Sequence, residues 1–227
     1  MAELKLVVFD VDGTLVDSQD DIVSAMASSF QALGQPVPSR ADILGIVGLS
    51  LHAAFEKLAP NLYPEHGDAL VEGYKRSFMT SRKLRDSTDS SPLYAGARDA
   101  IERLHAQDNI LLGIATGKSR RGLDHLLDAH DLRRYFVTAQ VADDHPSKPH
   151  PSMLEQCMYD VGVDAAHSVM IGDTSYDMDM AANASMASIG VGWGYHTPEV
   201  LKPRASLIID TYAELDAALH KIWSTPS

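Results

Sequence analysis

Apolar residues follow two alternating patterns along this chain. Short continuous runs stop abruptly at turn residues: Leu4-Lys5-Leu6-Val7-Val8-Phe9 before Asp10-Val11-Asp12-Gly13, and Ile110 to Ala115 before Thr116-Gly117. Ser168 to Ile171 stops at Gly172-Asp173, Ala187 to Val191 at a Gly-rich turn, and Ala205 to Ile209 forms a last run. Such runs, bounded by Gly and Asp, predict buried strands, the last an outer one. Stripes at helical spacing separate them: Ala97, Ala100, Ile101, Leu104; Leu123, Leu126, Leu127; Leu154, Cys157, Met158, Val161; Met178, Ala181, Ala182; and Leu215, Ala218, Leu219, Ile222. Strands alternating with helices predict an α/β fold with a doubly wound, Rossmann-like parallel sheet. Ligands bind such sheets outside the carboxyl ends of the strands.

The first two strands are about a hundred residues apart, far more than one crossover requires. Most of that stretch is helical in pattern. Ile22, Met26, Phe30 with Val23 and Ala27 make one face closed by Gly34, and Ile43 to Leu58 and Ala69 to Met79 supply further stripes. Asp86-Ser87-Thr88-Asp89-Ser90-Ser91-Pro92 has linker composition. The expected organisation is a core of residues 1–16 and 91–227 with an inserted helical subdomain over 17–90. No internal repeat or low-complexity tract interrupts it.

Composition narrows the function classes. The 227 residues, 45% hydrophobic and 22% charged, describe an ordinary globular protein. A formal net charge of −12 argues against a nucleic-acid surface, which needs a basic face. A small phosphorylated substrate needs only a few local cations and stays open. The start shows no basic region followed by a long apolar core, so no signal peptide is expected. Nothing approaches a membrane-spanning run, and the cytoplasm is the expected location. The single cysteine, Cys157, falls on a helical apolar stripe and reads as a buried structural thiol. The ten histidines form no metal-binding pattern.

The candidate chemistry collects at strand ends. Asp10 and Asp12 are two apart, and on an extended chain they point the same way into one small volume. Like charges that close need a cation between them or a proton on one. Asp173 follows the third of these strands directly, and Asp177 lies one helical turn further, where it could equally be a helix-capping acid. Four oxygen-donor carboxylates without His or Cys partners indicate Mg²⁺. Lys148, in Pro146-Ser147-Lys148-Pro149-His150-Pro151, can offset so acidic a cluster. Thr116 and Gly117 offer a hydroxyl and free amides as a phosphate cradle.

Asp10-x-Asp12-Gly13-Thr14, Thr116, Lys148-Pro149 and Gly172-Asp173-x-x-x-Asp177, in that order over nearly the whole chain, resemble the four motifs of the haloacid dehalogenase superfamily. The insert after the first motif resembles the helical cap of its phosphoglycolate-phosphatase-like branch, and Gly192-Trp193-Gly194-Tyr195-His196 is similar to that branch too. The resemblance implies an Mg²⁺-dependent phosphatase of small organic phosphate monoesters, with phosphoglycolate the leading candidate. It implies Asp10 as the nucleophile that forms an aspartyl-phosphate and Asp12 as proton donor and acceptor. Asp10, the Asp12 backbone carbonyl and Asp173 would hold the metal, and Asp177 would ligate through water or orient Lys148. Thr116, Gly117 and Lys148 would bind the phosphoryl group.

Within that superfamily, dehalogenases lack an acid at the Asp12 position, because a halide leaving group needs no proton. A sugar phosphomutase would carry Arg after Ser50, where this chain has Leu51; Arg40, Lys75, Arg82 or Lys83 could substitute. A pyrophosphatase is a further alternative. A non-catalytic binding protein on the same fold would be expected to lose a catalytic position, and none is lost. Arg120 and Arg121 follow the phosphate cradle, and Trp193 and Tyr195 could face the cleft or simply pack.

Overall fold

The computed structural model describes residues 3–84 and 91–224, with the side chains of 81–84 outside that description. Residues 86–90 of the expected linker over 86–92 and the side chains of Arg82 and Lys83 therefore lie outside the described residues.

The first strand, β1 (Lys5–Phe9), is buried on both faces, and its alternation divides the interior. Leu6 and Val8 enter one apolar cluster, whereas Val7 and Phe9 enter another. Burying each such side chain stabilises the fold by about 1.5–3 kcal/mol. Four helices follow: α1 (Gln19–Ala32), α2 (Arg40–Leu44), α3 (Leu51–Leu58) and α4 (Tyr63–Leu84). The chain then alternates through α5 (Ala97–His105), β2 (Ile110–Thr116), α6 (Arg120–Ala129), β3 (Thr138–Val141), α7 (Ser152–Val161), β4 (Ser168–Gly172) and α8 (Ser175–Asn183). It closes with β5 (Ala187–Val191), α9 (Pro198–Leu201), β6 (Leu207–Ile209) and α10 (Leu215–Ser224).

The strands form one six-stranded parallel sheet in the order β3-β2-β1-β4-β5-β6. Helices α5, α6 and α10 cover the face that holds Val7 and Phe9; α7 and α8 cover the face that holds Leu6 and Val8. This is the doubly wound α/β fold the alternation predicts. The strand order reverses direction at β1 and β4, so a crevice opens beyond the carboxyl ends of those two strands.

Strand β3 is absent from the apolar runs of the sequence. Thr138 and Gln140 interrupt it, yet both are buried. Their polar atoms are satisfied locally: Thr138 Oγ1 and Gln140 Nε2 donate to Asp160 Oδ2 at 2.6 and 2.8 Å. A buried polar group costs little once hydrogen-bonded, and the strand escapes a reading based on hydrophobicity.

Helices α1, α3 and α4 pack on one another around a separate cluster that includes Ile22, Met26, Phe30, Ile43, Phe55 and Leu70. Phe30 and Phe55 lie 6.0 Å apart, and Tyr74 meets Phe55 edge-on at 6.4 Å. Cys157 is fully buried, its Sγ donates to the Ile114 carbonyl at 3.5 Å, and burial pushes the thiol up to about 12. It is the structural thiol the stripe predicts. Among the described residues, no helix is long and apolar enough to cross a membrane.

Candidate active site

Three adjacent strand ends bring distant parts of the sequence together. At the end of β1 the Asp10 amide donates to the Ile171 carbonyl of β4 at 2.9 Å, fixing Asp10 beside the end of β4. Asp173 follows β4, and Asp177 sits in the first turn of α8. One oxygen from each of Asp10, Asp173 and Asp177 lies within 4.8 Å of the others, and all three residues are buried. Lys148 reaches this cluster from the loop before α7, donating to Asp10 Oδ1 at 2.9 Å and Asp177 Oδ1 at 2.6 Å with a side chain 0% exposed.

The two oxygens of Asp177 have different partners. Its Oδ2 accepts from the Thr174 amide and hydroxyl at 3.0 and 2.7 Å, completing a capping box at the start of α8, while Oδ1 holds Lys148. Asp173 is fixed by the Thr14 hydroxyl at 3.1 Å and the Tyr195 amide at 2.8 Å. Gly13, with φ +83°, passes so close that a Cβ there would stand 2.1 Å from Asp173 Oδ2. The glycine of the first motif thus provides both a left-handed turn and room for the third carboxylate.

Asp12 has partners of its own. The chain leaves β1 in a tight turn in which the Leu15 and Val16 amides both donate to the Val11 carbonyl. The Asp12 carboxylate lines the same cleft as Asp10 and adds to the upward push on the Asp10 pKa. Lys118 Nζ donates to its two oxygens at 2.5 and 2.7 Å, and the Ser18 hydroxyl donates to it as well. Lys118 was not among the expected site residues. The signal was present, because a lysine directly after Thr116-Gly117 obeys the same logic of charge compensation that singles out Lys148.

Thr116 closes β2, is 1% exposed, and accepts from the Lys118 amide at 3.2 Å. Gly117 sits where the α2–α3 loop comes down on the core: a Cβ there would stand 2.7 Å from the Gly48 carbonyl oxygen and 2.8 Å from that of Leu49. That loop is also tied to the core by the Ser50 amide, which donates to Ser147 Oγ at 2.9 Å. The Gly45 carbonyl accepts from the Tyr176 hydroxyl at 2.9 Å, and Lys57 donates to the same hydroxyl at 2.8 Å.

Among the other candidates, Arg40 pairs with Asp20 on the surface, whereas Lys75 lines the cleft and pairs with Glu72 at 3.0 Å. Arg120 turns back to the Ala139 carbonyl and Asp144; Arg121 lines the cleft. Trp193 packs on Tyr212 at 4.7 Å and donates to the Thr14 carbonyl, so it serves the core. Tyr195 places its hydroxyl 3.2 Å from the Ser18 amide and hydroxyl, behind Asp12.

Electrostatically the cluster is incomplete. Burial, and then Asp177, push Asp10 up to about 7 against the pull of Lys148. Burial likewise raises Asp173 well above its ordinary range, with Asp177 and Asp10 adding to the rise. For Lys148 burial favours the neutral form, but Asp10 and Asp177 outweigh it and hold the ammonium above its usual value. Asp10 Oδ2 is buried and has no hydrogen-bond partner. Three clustered carboxylates against one ammonium, with a bare carboxylate oxygen, fit a hard divalent cation such as Mg²⁺.

Residues 7–191 match the family described as haloacid dehalogenase-like hydrolase. The chain belongs to the haloacid dehalogenase-like hydrolases. It is 38% identical over 228 residues to a protein of Dickeya dadantii named "Probable phosphatase IndB", covering 97% of each chain. It is 29% identical over 218 residues to the phosphoglycolate phosphatase of Vibrio parahaemolyticus, covering 94% of this chain and 95% of that one. A haloacid dehalogenase-like family hydrolase from Streptococcus pneumoniae superimposes with a TM-score of 0.81 at 23% identity, covering 96% of this chain and 99% of its own. That structural likeness carries the fold alone.

The carboxylate cluster makes stability depend on pH and metal together. Asp10, at about 7 in the fold against an ordinary 3.8, keeps a proton that the unfolded chain has already lost. Its contribution is therefore complete below about pH 3.8 and disappears as pH rises through about 7. Metal-free protein is expected to lose stability across that window. Saturating Mg²⁺, at about 100 times its Kd, should raise Tm by roughly 5–10 °C near pH 8. The gain should shrink near pH 5, where protons compete for the same oxygens. Thermal melts with Mg²⁺ or EDTA at the two pH values check this, and a Tm indifferent to Mg²⁺ at both would rule the cluster out as a metal site.

Proposed function

We propose that this protein is a cytoplasmic Mg²⁺-dependent phosphatase that hydrolyses small organic phosphate monoesters through a phosphoaspartyl intermediate, with residues 17–90 acting as a cap over the core. The observation that carries this reading is Asp10 itself. One of its oxygens is held by Lys148 and the other is without a partner, at the floor of a cleft that Thr116, Gly117 and Lys118 also line. A carboxylate so placed can attack a phosphorus atom while its neighbours hold the phosphoryl oxygens.

In the proposed first step an Asp10 oxygen bonds to phosphorus and the ester oxygen leaves with a proton from Asp12. In the second, Asp12 takes a proton from water, the hydroxide attacks the acyl phosphate, and inorganic phosphate departs from a restored Asp10. Thr116, the Gly117 amide and Lys148 are assigned to the phosphoryl oxygens, where positioning and charge do most of the catalysis. Asp10, Asp173 and the Asp12 backbone carbonyl would hold Mg²⁺, with Asp177 contributing through water; the ion supplies charge stabilisation of the phosphoryl oxygens. Lys118 and Ser18 hold Asp12 in place before substrate arrives. A dianionic phosphoryl group competes for the Lys118 ammonium, which frees the Asp12 carboxyl to meet the leaving oxygen.

Phosphoglycolate is among the candidate substrates because relatives aligned over nearly the whole chain are named for it. Leu51 stands in the cleft lining where a sugar phosphomutase would carry an arginine, and no observation favours that reading. Mg²⁺-dependent release of phosphate from a panel of phosphorylated metabolites is the direct test of the class. Asp12→Asn sharpens it. The substitution should slow hydrolysis of alkyl phosphates by roughly 10²–10⁴-fold, but p-nitrophenyl phosphate much less, since its leaving group needs little protonation. Equal losses on both ester types would remove Asp12 from the proton-transfer role.

A further inference from the structure

The cleft above Asp10 is large. Its volume is about 840 Å³, near the top of the range of about 300–1,000 Å³ seen for sites that enclose drug-sized molecules. A two-carbon acid phosphate would leave most of it to water. The wall facing the reacting groups comes from α1, the α2–α3 loop and α4, and it is apolar: Met26, Val47, Leu49, Val71, Tyr74 and Phe78 all line the cleft. Met26, Val47 and Val71 are buried, whereas Leu49, Tyr74 and Phe78 are half-buried and present their accessible apolar surface to the cleft. Apolar surface gathered in one concavity marks a place where an apolar ligand excludes water.

The position of this wall matters as much as its composition. Lys118 Nζ is 2.5 Å from Asp12 Oδ1 and also 5.6 Å from the centroid of the Phe78 ring. The apolar surface therefore begins beside the carboxyl that is assigned to protonate the leaving oxygen. Phe78 in turn stacks on Tyr74, with centroids 5.6 Å apart and planes inclined by 20°. The leaving alcohol meets two aromatic side chains one turn apart on α4. The same wall is poor in cations. Among the described residues of 17–80 that line the cleft, the lysine is Lys75, and Glu72 engages it at 3.0 Å. Arg121 and His125 lie on the opposite, core side, on α6. A substrate carboxylate held close to the phosphate would face hydrocarbon rather than an uncommitted charge.

We infer that the alcohol half of the substrate carries a ring-sized apolar group, aromatic or heteroaromatic, that packs against Phe78, Tyr74 and Leu49 while its phosphate sits on Asp10. This deepens the phosphomonoesterase reading and rests on it. Polar substituents on the far side of such a ring reach Arg121 and His125 without disturbing the apolar contact.

The test compares esters of matched leaving-group basicity. With Mg²⁺ present, kcat/KM for 2-phenylethyl phosphate should exceed that for ethyl phosphate, and that for phosphoglycolate, by roughly tenfold or more. Phe78→Ala should bring the phenylethyl-to-ethyl ratio down towards one; because the readout is a ratio, a smaller folded fraction cancels. In parallel, calorimetric titration should give 3-phenylpropylphosphonate roughly tenfold higher affinity than propylphosphonate, a comparison that requires no turnover. A phenylethyl-to-ethyl ratio near one, a ratio unmoved by Phe78→Ala, or a preference for phosphoglycolate overturns the inference. Failure to hydrolyse any ester overturns the phosphatase reading instead, and the phosphonate affinity ratio then decides between a ring-binding and a small-acid cleft.

Discussion

Asp10→Asn is expected to abolish phosphate release, with kcat falling by roughly 10⁴-fold or more. The substitution is nearly isosteric at a site with no exposed surface to relax into, so Lys148 keeps a hydrogen-bond acceptor at the same position. What disappears is the anionic oxygen that would bond to phosphorus. An amide is a far weaker nucleophile, and no other carboxylate is placed to replace it: Asp173 is held by Thr14 and Tyr195, Asp177 by Thr174 and Lys148, and Asp12 by Lys118. Stability should move the other way, because removing one of three crowded carboxylates relieves repulsion in metal-free protein. Paired measurements of phosphate release and Tm in EDTA near pH 8 read both effects. A variant that retained a tenth of the activity would exclude Asp10 as the nucleophile.

The largest expected effect on stability belongs to Lys148→Met. Methionine approximates the length of the aliphatic stem but leaves Asp10, Asp173 and Asp177 buried with no cation. Removing one partner from a buried ion pair costs about 3–5 kcal/mol, which lowers Tm by roughly 10 °C or more in a protein of this size. The loss should be greatest near pH 8 in EDTA. It should shrink as pH falls, because the raised carboxylates take up protons in place of the missing ammonium, and Mg²⁺ should restore part of it. Activity should fall as well, since Lys148 is assigned to the phosphoryl oxygens. A melting curve unchanged from the parent protein would mean that the lysine is not what balances the cluster.

Much of this molecule was legible before its structure. The runs at residues 4–9, 110–115, 168–171 and 187–191 became β1, β2, β4 and β5 because parallel strands buried on both faces need nearly continuous hydrophobicity. The same runs located the site, since a doubly wound sheet presents its ligands at the strand ends. What stayed hidden had physical causes. Strand β3 buries Thr138 and Gln140, and partners from outside the strand, Asp160 and His145, make that tolerable. The partners of Asp12, Lys118 and Ser18, come from outside the strand that carries Asp10, so the spacing of the two aspartates did not announce them. Lys118 drew no notice because its partner Asp12 lies far off in sequence. The apolar cleft wall could not be separated from an ordinary helical core. Met26 and Phe78 lie on helical stripes, and spacing alone does not tell a side chain that faces another helix from one that faces a cavity.

The place of β1 in the sheet has a consequence for how the chain is made. Of the six strands of this sheet, the earliest in the chain sits inside it, between β2 and β4. Leu6, Val7, Val8 and Phe9 therefore emerge from the ribosome with both edges unpaired and both faces bare, and the neighbours they need follow only at residues 110–116 and 168–172. Until then this segment is an aggregation hazard, whereas the helices of 19–84 can pack locally. Chaperone dependence should accordingly concentrate in nascent chains that end before β4, and fragments truncated there should be the least soluble forms of the protein.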